Sequence, residues 1–136
     1  MISSTDKFDA AGLIVRLGDL VLLGKRSKFC ANLTGFWSMP CGAIEKNELP
    51  KSAAIREFFE ETGCDIKSEI NYLTSFKMEN GGTFYVYSAE TKDLMFPSTK
   101  AKDAFEHDEW GYFKISKNSL PNPISKETKK IILKLK

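Results

Sequence analysis

Residues 42–64 read GAIEKNELPKSAAIREFFEETGC, a stretch that predicts one helix carrying a cluster of acidic side chains. Proline is tolerated in the first turn of a helix, where its missing N–H group costs nothing, so Pro50 marks a helix start. Glycine is common just past a helix end, and Gly63 takes that position. The sequence therefore predicts one helix of about three and a half turns between these two residues.

Three glutamates of this helix, Glu57, Glu60 and Glu61, are spaced so that they share one helix face. Like charges at such spacings repel by roughly 0.2–0.5 kcal/mol per pair. Arg56 can reach Glu60, but one guanidinium cannot neutralise three carboxylates. A divalent cation could, and carboxylate oxygens without histidine or cysteine suit Mg²⁺ or Mn²⁺. A solvated acidic face is the alternative interpretation. The apolar residues on the opposite side are expected to pack on a sheet: Ile55, Phe58, Phe59 and Thr62.

Predicted strands flank the helix. DAAGLIVRLGDLVLLGKR predicts a hairpin that turns at Gly18-Asp19, and INYLTSFKM and TFYVYSAE predict a second hairpin around ENGG. Residues 93–108 are expected to be irregular, WGYFKI to form a strand, and SKETKKIILKLK to form a last helix with Ser125 as N-cap. The order strands, helix, strands, helix predicts an α+β or α/β sandwich around a mixed sheet.

Composition limits the classes of protein. The chain has 136 residues, of which 42% are hydrophobic, which suits a single domain over 1–136 with its own core. A net charge of +2 is too close to neutral to predict a nucleic-acid binder. No apolar run is long enough to span a bilayer, and the polar start MISSTDK has no signal-peptide pattern. Three cysteines without a C-x-x-C pair predict free thiols in the cytoplasm: Cys30, Cys41 and Cys64.

The helix stretch resembles the Nudix box of the Nudix hydrolase family, in its small, MutT-like, single-domain form. All seven fixed positions of that box are present: Gly42, Glu48, Arg56, Glu57, Glu60, Glu61 and Gly63. LVLLGKR, GFWSMPCG and EHDEWGYF are similar to the family's strand, its W-x-x-P-G-G segment and its acidic segment before an aromatic residue. Cys41 departs from the pattern, since a glycine is usual there. The resemblance implies an α/β/α sandwich around the mixed sheet.

The resemblance also implies an activity, because the family hydrolyses a nucleoside diphosphate linked to another group with Mg²⁺ or Mn²⁺. The metal ligands that it implies are three carboxylates and one backbone carbonyl: Glu57, Glu60, Glu61 and the carbonyl near Cys41. Arg56 and Glu48 are implied to orient these carboxylates, and Gly42 lies in the same box. Pyrophosphate cleavage needs charge neutralisation and a positioned water, which agrees with these roles.

The sequence leaves the general base open. Glu57 or Glu61 is the first choice, and Glu109, which precedes an aromatic residue, is the second. Glu106 is an alternate, while His107 is expected to decorate a loop rather than to take part in catalysis.

Lys25 and Arg26 end a strand that leads toward the box, where the family often has a basic residue, so we expect them to contact substrate phosphates. A surface salt bridge is the alternative interpretation for Arg26. The substrate class stays open between nucleoside triphosphates, deoxynucleoside triphosphates and nucleotide sugars, and a homodimer also stays open. A rival hypothesis is a Nudix fold that senses nucleotides or RNA without turnover, although every acid of the box is retained. The basic segment KETKKIILKLK is interpreted as a packing stripe with solvated lysines rather than as a membrane or nucleic-acid contact.

Overall fold

The computed structural model describes residues 7–30 and 32–135, which contain seven strands, two α-helices and one short 3-10 helix. In chain order these are β1 (Ala10–Leu17), β2 (Leu20–Arg26), β3 (Trp37–Ser38), β4 (Cys41–Ala43), α1 (Pro50–Thr62), β5 (Ile70–Lys77), β6 (Thr83–Glu90), the 3-10 helix (Ala104–Glu106), β7 (His107–Lys114) and α2 (Lys126–Leu133). The predicted hairpins and helices are confirmed. Residues 1–6, on which the signal-peptide prediction rests, and Lys136 lie outside the described residues.

The strands form one mixed sheet in the order β3-β2-β1-β6-β5, with β4 also paired to β1 and β7 also paired to β2. β1 and β6 pair in parallel, whereas the other strand pairs are antiparallel. The predicted mixed sheet is therefore confirmed. One boundary differs from the prediction, because His107 and Asp108 already belong to β7 rather than to an irregular segment.

Side chains alternate between the two faces of the sheet along β1. Leu13 and Val15 belong to the core that packs against α1, whereas Ile14 belongs to a second core that includes Ile131 and Ile132 of α2. One helix therefore covers each face, as in the α/β/α sandwich that the resemblance implies. The burial of the two isoleucines of α2 confirms the packing stripe of this basic helix.

Helix α1 is rolled relative to the prediction. Phe58 is buried, but Ile55 and Phe59 are exposed, so the prediction that all three pack on the sheet was wrong. Two small buried residues, Ala53 and Ala54, take their place against the sheet. This rotation of the helix about its axis turns Glu61, one of the acidic residues, toward the interior.

The ends of the helices only partly follow the expected capping. Gly63 adopts a left-handed φ of 73° and donates its N–H to the Phe59 carbonyl at 2.7 Å, as expected of a glycine that ends a helix. Ser125 lies at the N-cap of α2, but its side chain makes no capping hydrogen bond there. Among the described residues, no helix combines the length and the apolar character needed to cross a membrane.

Two neighbouring phenylalanines offer a test of the observed roll of α1. Phe58→Ala should lower the free energy of unfolding by about 3–5 kcal/mol, because Phe58 is 1% exposed. Phe59→Ala, the matched control, should change it by about 0.5 kcal/mol or less, since Phe59 is 49% exposed. Urea unfolding of both variants measures the difference, and equal losses would contradict this orientation of the helix.

Candidate active site

Residues 98–106 cover the carboxyl end of α1. The last carbonyls of a helix have no partner within it, and here two of them accept hydrogen bonds from this segment. The Ser98 N–H donates to the Thr62 carbonyl at 2.7 Å, and the Asp103 N–H donates to the Glu60 carbonyl at 2.7 Å. The segment therefore carries the Asp103 side chain to the glutamates of the helix.

Three carboxylates meet at this point. One oxygen atom from each of Glu57, Glu60 and Asp103 lies within 4.8 Å of the corresponding oxygen atoms of the other two residues. The three side chains are half-buried, so water screens their mutual repulsion less than it would on an open surface. Burial, more than the neighbouring charges, raises the pKa of Glu57. The site therefore holds concentrated negative charge.

Glu61 lies just beneath this group and is 1% exposed. Neither of its carboxylate oxygens has a hydrogen-bond partner among the described residues. Burial is the largest cause that raises the Glu61 pKa well above its ordinary value, and the negative charges of Glu57 and Glu106 add to it. An ionised carboxylate in such surroundings needs a positive partner.

Arg56 ties the helix to the preceding loop. Its Nε and Nη2 donate to the two oxygens of Glu48 at 2.8 and 2.9 Å, and Nη2 also donates to the Ala43 carbonyl at 3.0 Å. Its Nη1 donates to Glu57 at 2.8 Å and to Glu60 at 3.0 Å. These bonds engage every N–H of the guanidinium. The hydrogen bonds from Arg56 are the largest cause that lowers the Glu48 pKa.

Gly42 leaves room for the Glu57 carboxylate. A methyl group at Gly42 would overlap all three atoms of that carboxylate, since β4 passes directly beside it. Cys41, whose carbonyl the sequence suggested as a ligand, is the neighbouring residue on the same strand. The glycine of the box is therefore required at position 42 for steric reasons, because a side chain there would collide with the Glu57 carboxylate.

The sheet separates the remaining predicted site residues. Leu22 faces α1, so alternation along β2 places Lys25 on the opposite face. The pairing of β2 with β7 is irregular between Lys25 and Arg26, and the charge of Arg26 acts on Glu61 of α1, which agrees with a position of Arg26 on the α1 face. Lys25 pairs with Glu109 across the strands, and Glu109 therefore shares the face that points away from the acids. Arg26 is held by Asn32, to whose backbone carbonyl and side-chain oxygen it donates at 3.0 Å each.

Two residues of the 103–107 region lie closer to the acids than the sequence indicated. Burial, followed by the charges of Asp103 and Glu57, raises the pKa of Glu106 to about 7. His107 is buried, contrary to the expectation of an exposed loop residue, and its Nε2 lies 3.7 Å from a Glu61 oxygen. Burial, followed by the charge of Arg26, lowers the His107 pKa to about 4.

Sequence reasoning did not find Asp103. It lies in a segment without helical or strand periodicity, about 40 residues from the glutamates, and the backbone bonds of that segment to α1 bring it to them. The acidic run KDAFEHDE was the available signal, but it does not indicate which acid turns inward.

The donors at this site fit a hard divalent cation such as Mg²⁺ or Mn²⁺. The cluster of Glu57, Glu60 and Asp103 offers carboxylate oxygens, which these cations prefer. The basic side chains nearby do not balance the charge. Arg56 has no N–H to spare, and the Lys102 ammonium, 3.4 Å from a Glu60 oxygen, belongs to a mostly exposed side chain.

The NUDIX domain family matches residues 6–135 of the chain, so the chain belongs to this family. Nudix hydrolase 25 of Arabidopsis thaliana is 45% identical over 65 residues, which are 45% of this chain and 35% of that protein. The 8-oxo-dGTP diphosphatase of Proteus vulgaris is 39% identical over 57 residues, 42% of this chain and 50% of that protein. The chain thus spans half or less of the length of these relatives.

A solved structure shows the same fold. The MutT NUDIX hydrolase from Burkholderia pseudomallei matches 96% of this chain and 99% of its own, with a TM-score of 0.78 and 21% sequence identity. The predicted Nudix-type fold is therefore confirmed.

A larger residue at position 42 tests whether the Glu57 carboxylate needs the space that Gly42 leaves. Gly42→Ala should lower the affinity for Mn²⁺ about 10–100-fold, because the added methyl group displaces the Glu57 carboxylate. Electron paramagnetic resonance of free Mn²⁺ measures the affinity, and the thermal unfolding midpoint checks that the variant is folded. A folded variant with unchanged affinity would show that Glu57 does not need this space.

Proposed function

We propose that the protein is a pyrophosphohydrolase that depends on Mg²⁺ or Mn²⁺ and cleaves a nucleoside diphosphate linked to another group. A nucleoside triphosphate, a deoxynucleoside triphosphate or a nucleotide sugar is the expected substrate. The observation that carries this proposal is the convergence of Glu57, Glu60 and Asp103, with buried Glu61 beneath them. The relative named 8-oxo-dGTP diphosphatase supports a nucleotide-type substrate.

The carboxylates of this cluster would hold the cation, together with Glu61 and the backbone carbonyl near Cys41. When bound, Mg²⁺ or Mn²⁺ supplies positive charge for the phosphate oxygens and activates water for attack on phosphorus. Arg56 keeps Glu57 and Glu60 in fixed orientations through its hydrogen bonds. Glu48 in turn fixes Arg56, since a two-pronged bond leaves the planar guanidinium little freedom.

Arg26 is the better placed of the two proposed phosphate contacts. It lies on the α1 face of the sheet and its charge favours the ionised forms of Glu61 and Glu106, whereas Lys25 faces the other side. Arg26 is therefore the residue that we expect to contact substrate phosphates bound at the acids.

For the general base, Glu57 and Glu61 remain candidates, and the location of Glu106 favours it over Glu109. Glu106 interacts electrostatically with Glu57, whereas Glu109 lies on the far face of the sheet. A carboxylate whose pKa lies near neutrality is suited to exchange a proton at physiological pH.

Three further aspects belong to the same proposal. The family match over residues 6–135 supports one domain across 1–136. Three free cysteines support a cytoplasmic location. The small net charge of +2 supports a nucleotide rather than a nucleic acid as partner.

The experiment is a panel of nucleoside triphosphates, nucleotide sugars and dinucleotides, each incubated with protein and Mg²⁺ or Mn²⁺. We expect at least one compound to be cleaved at its pyrophosphate bond, because the charge of the site is arranged for that reaction. Chromatography of the products measures release of the nucleotide together with phosphate, pyrophosphate or sugar phosphate, and chelation of the metal should abolish the release.

Two variants serve as controls in that panel. Glu60→Gln should lower turnover by about 10²-fold or more, because it removes a charged ligand from the cluster. Glu79→Gln changes an exposed glutamate in the turn between β5 and β6 and should leave turnover unchanged. No release from any compound would favour the nucleotide-sensing alternative, and equal turnover in both variants would remove Glu60 from the site.

A further inference from the structure

His107 is the only histidine of the chain, and it is buried beside Glu61. Its side chain is 1% exposed and stacks at a tilt on Trp110, with ring centres 4.4 Å apart. Across the strand pair, Gly24 makes room for the ring, since a methyl group there would come within 2.5 Å of the imidazole. The fold therefore holds the imidazole in one place.

The neighbour of this imidazole is the carboxylate of Glu61. His107 Nε2 lies 3.7 Å from Glu61 Oε1, and both residues are 1% exposed at the side chain. Among the described residues, neither ring nitrogen of His107 and neither oxygen of Glu61 has a hydrogen-bond partner. Buried polar groups without partners are costly and rare in folded proteins, so two such groups that face each other call for a shared explanation.

The position of the ring proton follows from this arrangement. A bound cation requires Glu61 to be ionised. With the ring proton on Nδ1, the Nε2 lone pair would then face a charged carboxylate oxygen, and the buried Nδ1–H would have no acceptor among the described residues. With the proton on Nε2, the N–H points at Glu61, and only a bare acceptor is left unpaired. Closing the gap to about 2.7–3.2 Å completes a hydrogen bond to the carboxylate.

We propose that His107 is a positioning residue that donates its Nε2–H to the Glu61 carboxylate and holds that carboxylate toward the cluster when Mg²⁺ or Mn²⁺ is bound. The inference rests on the proposed function, because it assigns Glu61 a place beside the cation. A neutral N–H donor fixes the orientation of a metal-binding carboxylate without competing for the metal. His107 thereby acts through Glu61, with no contact to the substrate.

The single histidine allows a direct test by nuclear magnetic resonance. In uniformly ¹⁵N-labelled protein with Mg²⁺ alone, the ring should show the neutral form with its proton on Nε2, and that proton should exchange slowly with water. The signal should move in Glu61→Gln and stay in place in Glu79→Gln. A proton on Nδ1, a ring with rapidly exchanging protons, or a direct Mg²⁺ contact at Nε2 would overturn the proposal.

Three substitutions separate hydrogen bonding from packing. Glutamine places an amide N–H near the position of Nε2, asparagine places one near Nδ1, and leucine fills the space without a donor. We expect His107→Gln to keep the Mn²⁺ affinity close to that of the wild type, while His107→Asn and His107→Leu lower it about 10–100-fold. Thermal unfolding checks that each variant is folded. Equal affinities in the leucine and glutamine variants would overturn the proposal.

The outcomes also separate this inference from the proposed function. If the wild-type protein cleaves substrate but the ring proton lies on Nδ1, only the role of His107 fails. If the protein binds no Mg²⁺ and cleaves nothing, the proposed function fails, whatever the state of the ring. Steady-state kinetics give a further test of the inference. His107→Leu should lower kcat at saturating Mn²⁺ and leave KM for the nucleotide nearly unchanged.

Discussion

Negative charge at the carboxyl end of α1 exceeds the positive charge that the chain places beside it, and the rest of the site depends on that imbalance. Arg56 bonds to Glu48, Glu57 and Glu60, so its one charge is already divided among three carboxylates. Glu61 is left buried without a hydrogen-bond partner among the described residues. A structural helix would not retain such a group, since leucine or alanine would cost less at the same place. The proposed divalent cation would resolve this imbalance.

Small residues let the helix, the sheet and the neighbouring strand approach one another closely enough to bring these carboxylates together. Ala53 and Ala54 let α1 lie against the sheet, so that the helix can turn Glu61 inward. Gly42 lets β4 pass beside the Glu57 carboxylate. The segment that satisfies the last carbonyls of the helix also delivers Asp103. Small residues and a helix end therefore position the carboxylates, while the large apolar residues form the two cores.

Local signals predicted the elements well. Pro50 and Gly63 gave the bounds of α1, because the first lacks an N–H that is not needed there and the second adopts the left-handed φ of a helix end. The two hairpins followed from turn residues between apolar runs. The box spacing identified the family and most of the acids at the site, since these residues lie on one helix and the loop before it.

Tertiary contacts decided what the sequence could not show. The roll of α1 depends on which side chains are small enough to meet the sheet, and periodicity alone favoured Ile55 and Phe59. The separation of Arg26 from Lys25 and Glu109 depends on strand register. Asp103 and His107 reach the site through a loop and a strand distant in sequence, so no local pattern could assign them to it.

The most direct test of the central claim is a crystal structure of the wild-type protein grown with Mn²⁺, with data collected to record the anomalous scattering of manganese. A cation held by the acids predicts an anomalous peak between Glu57, Glu60 and Asp103, with their oxygens at coordination distance. Well-ordered acids without a peak, or acids that point away from one another, would contradict the claim that a divalent cation balances the charge of this helix.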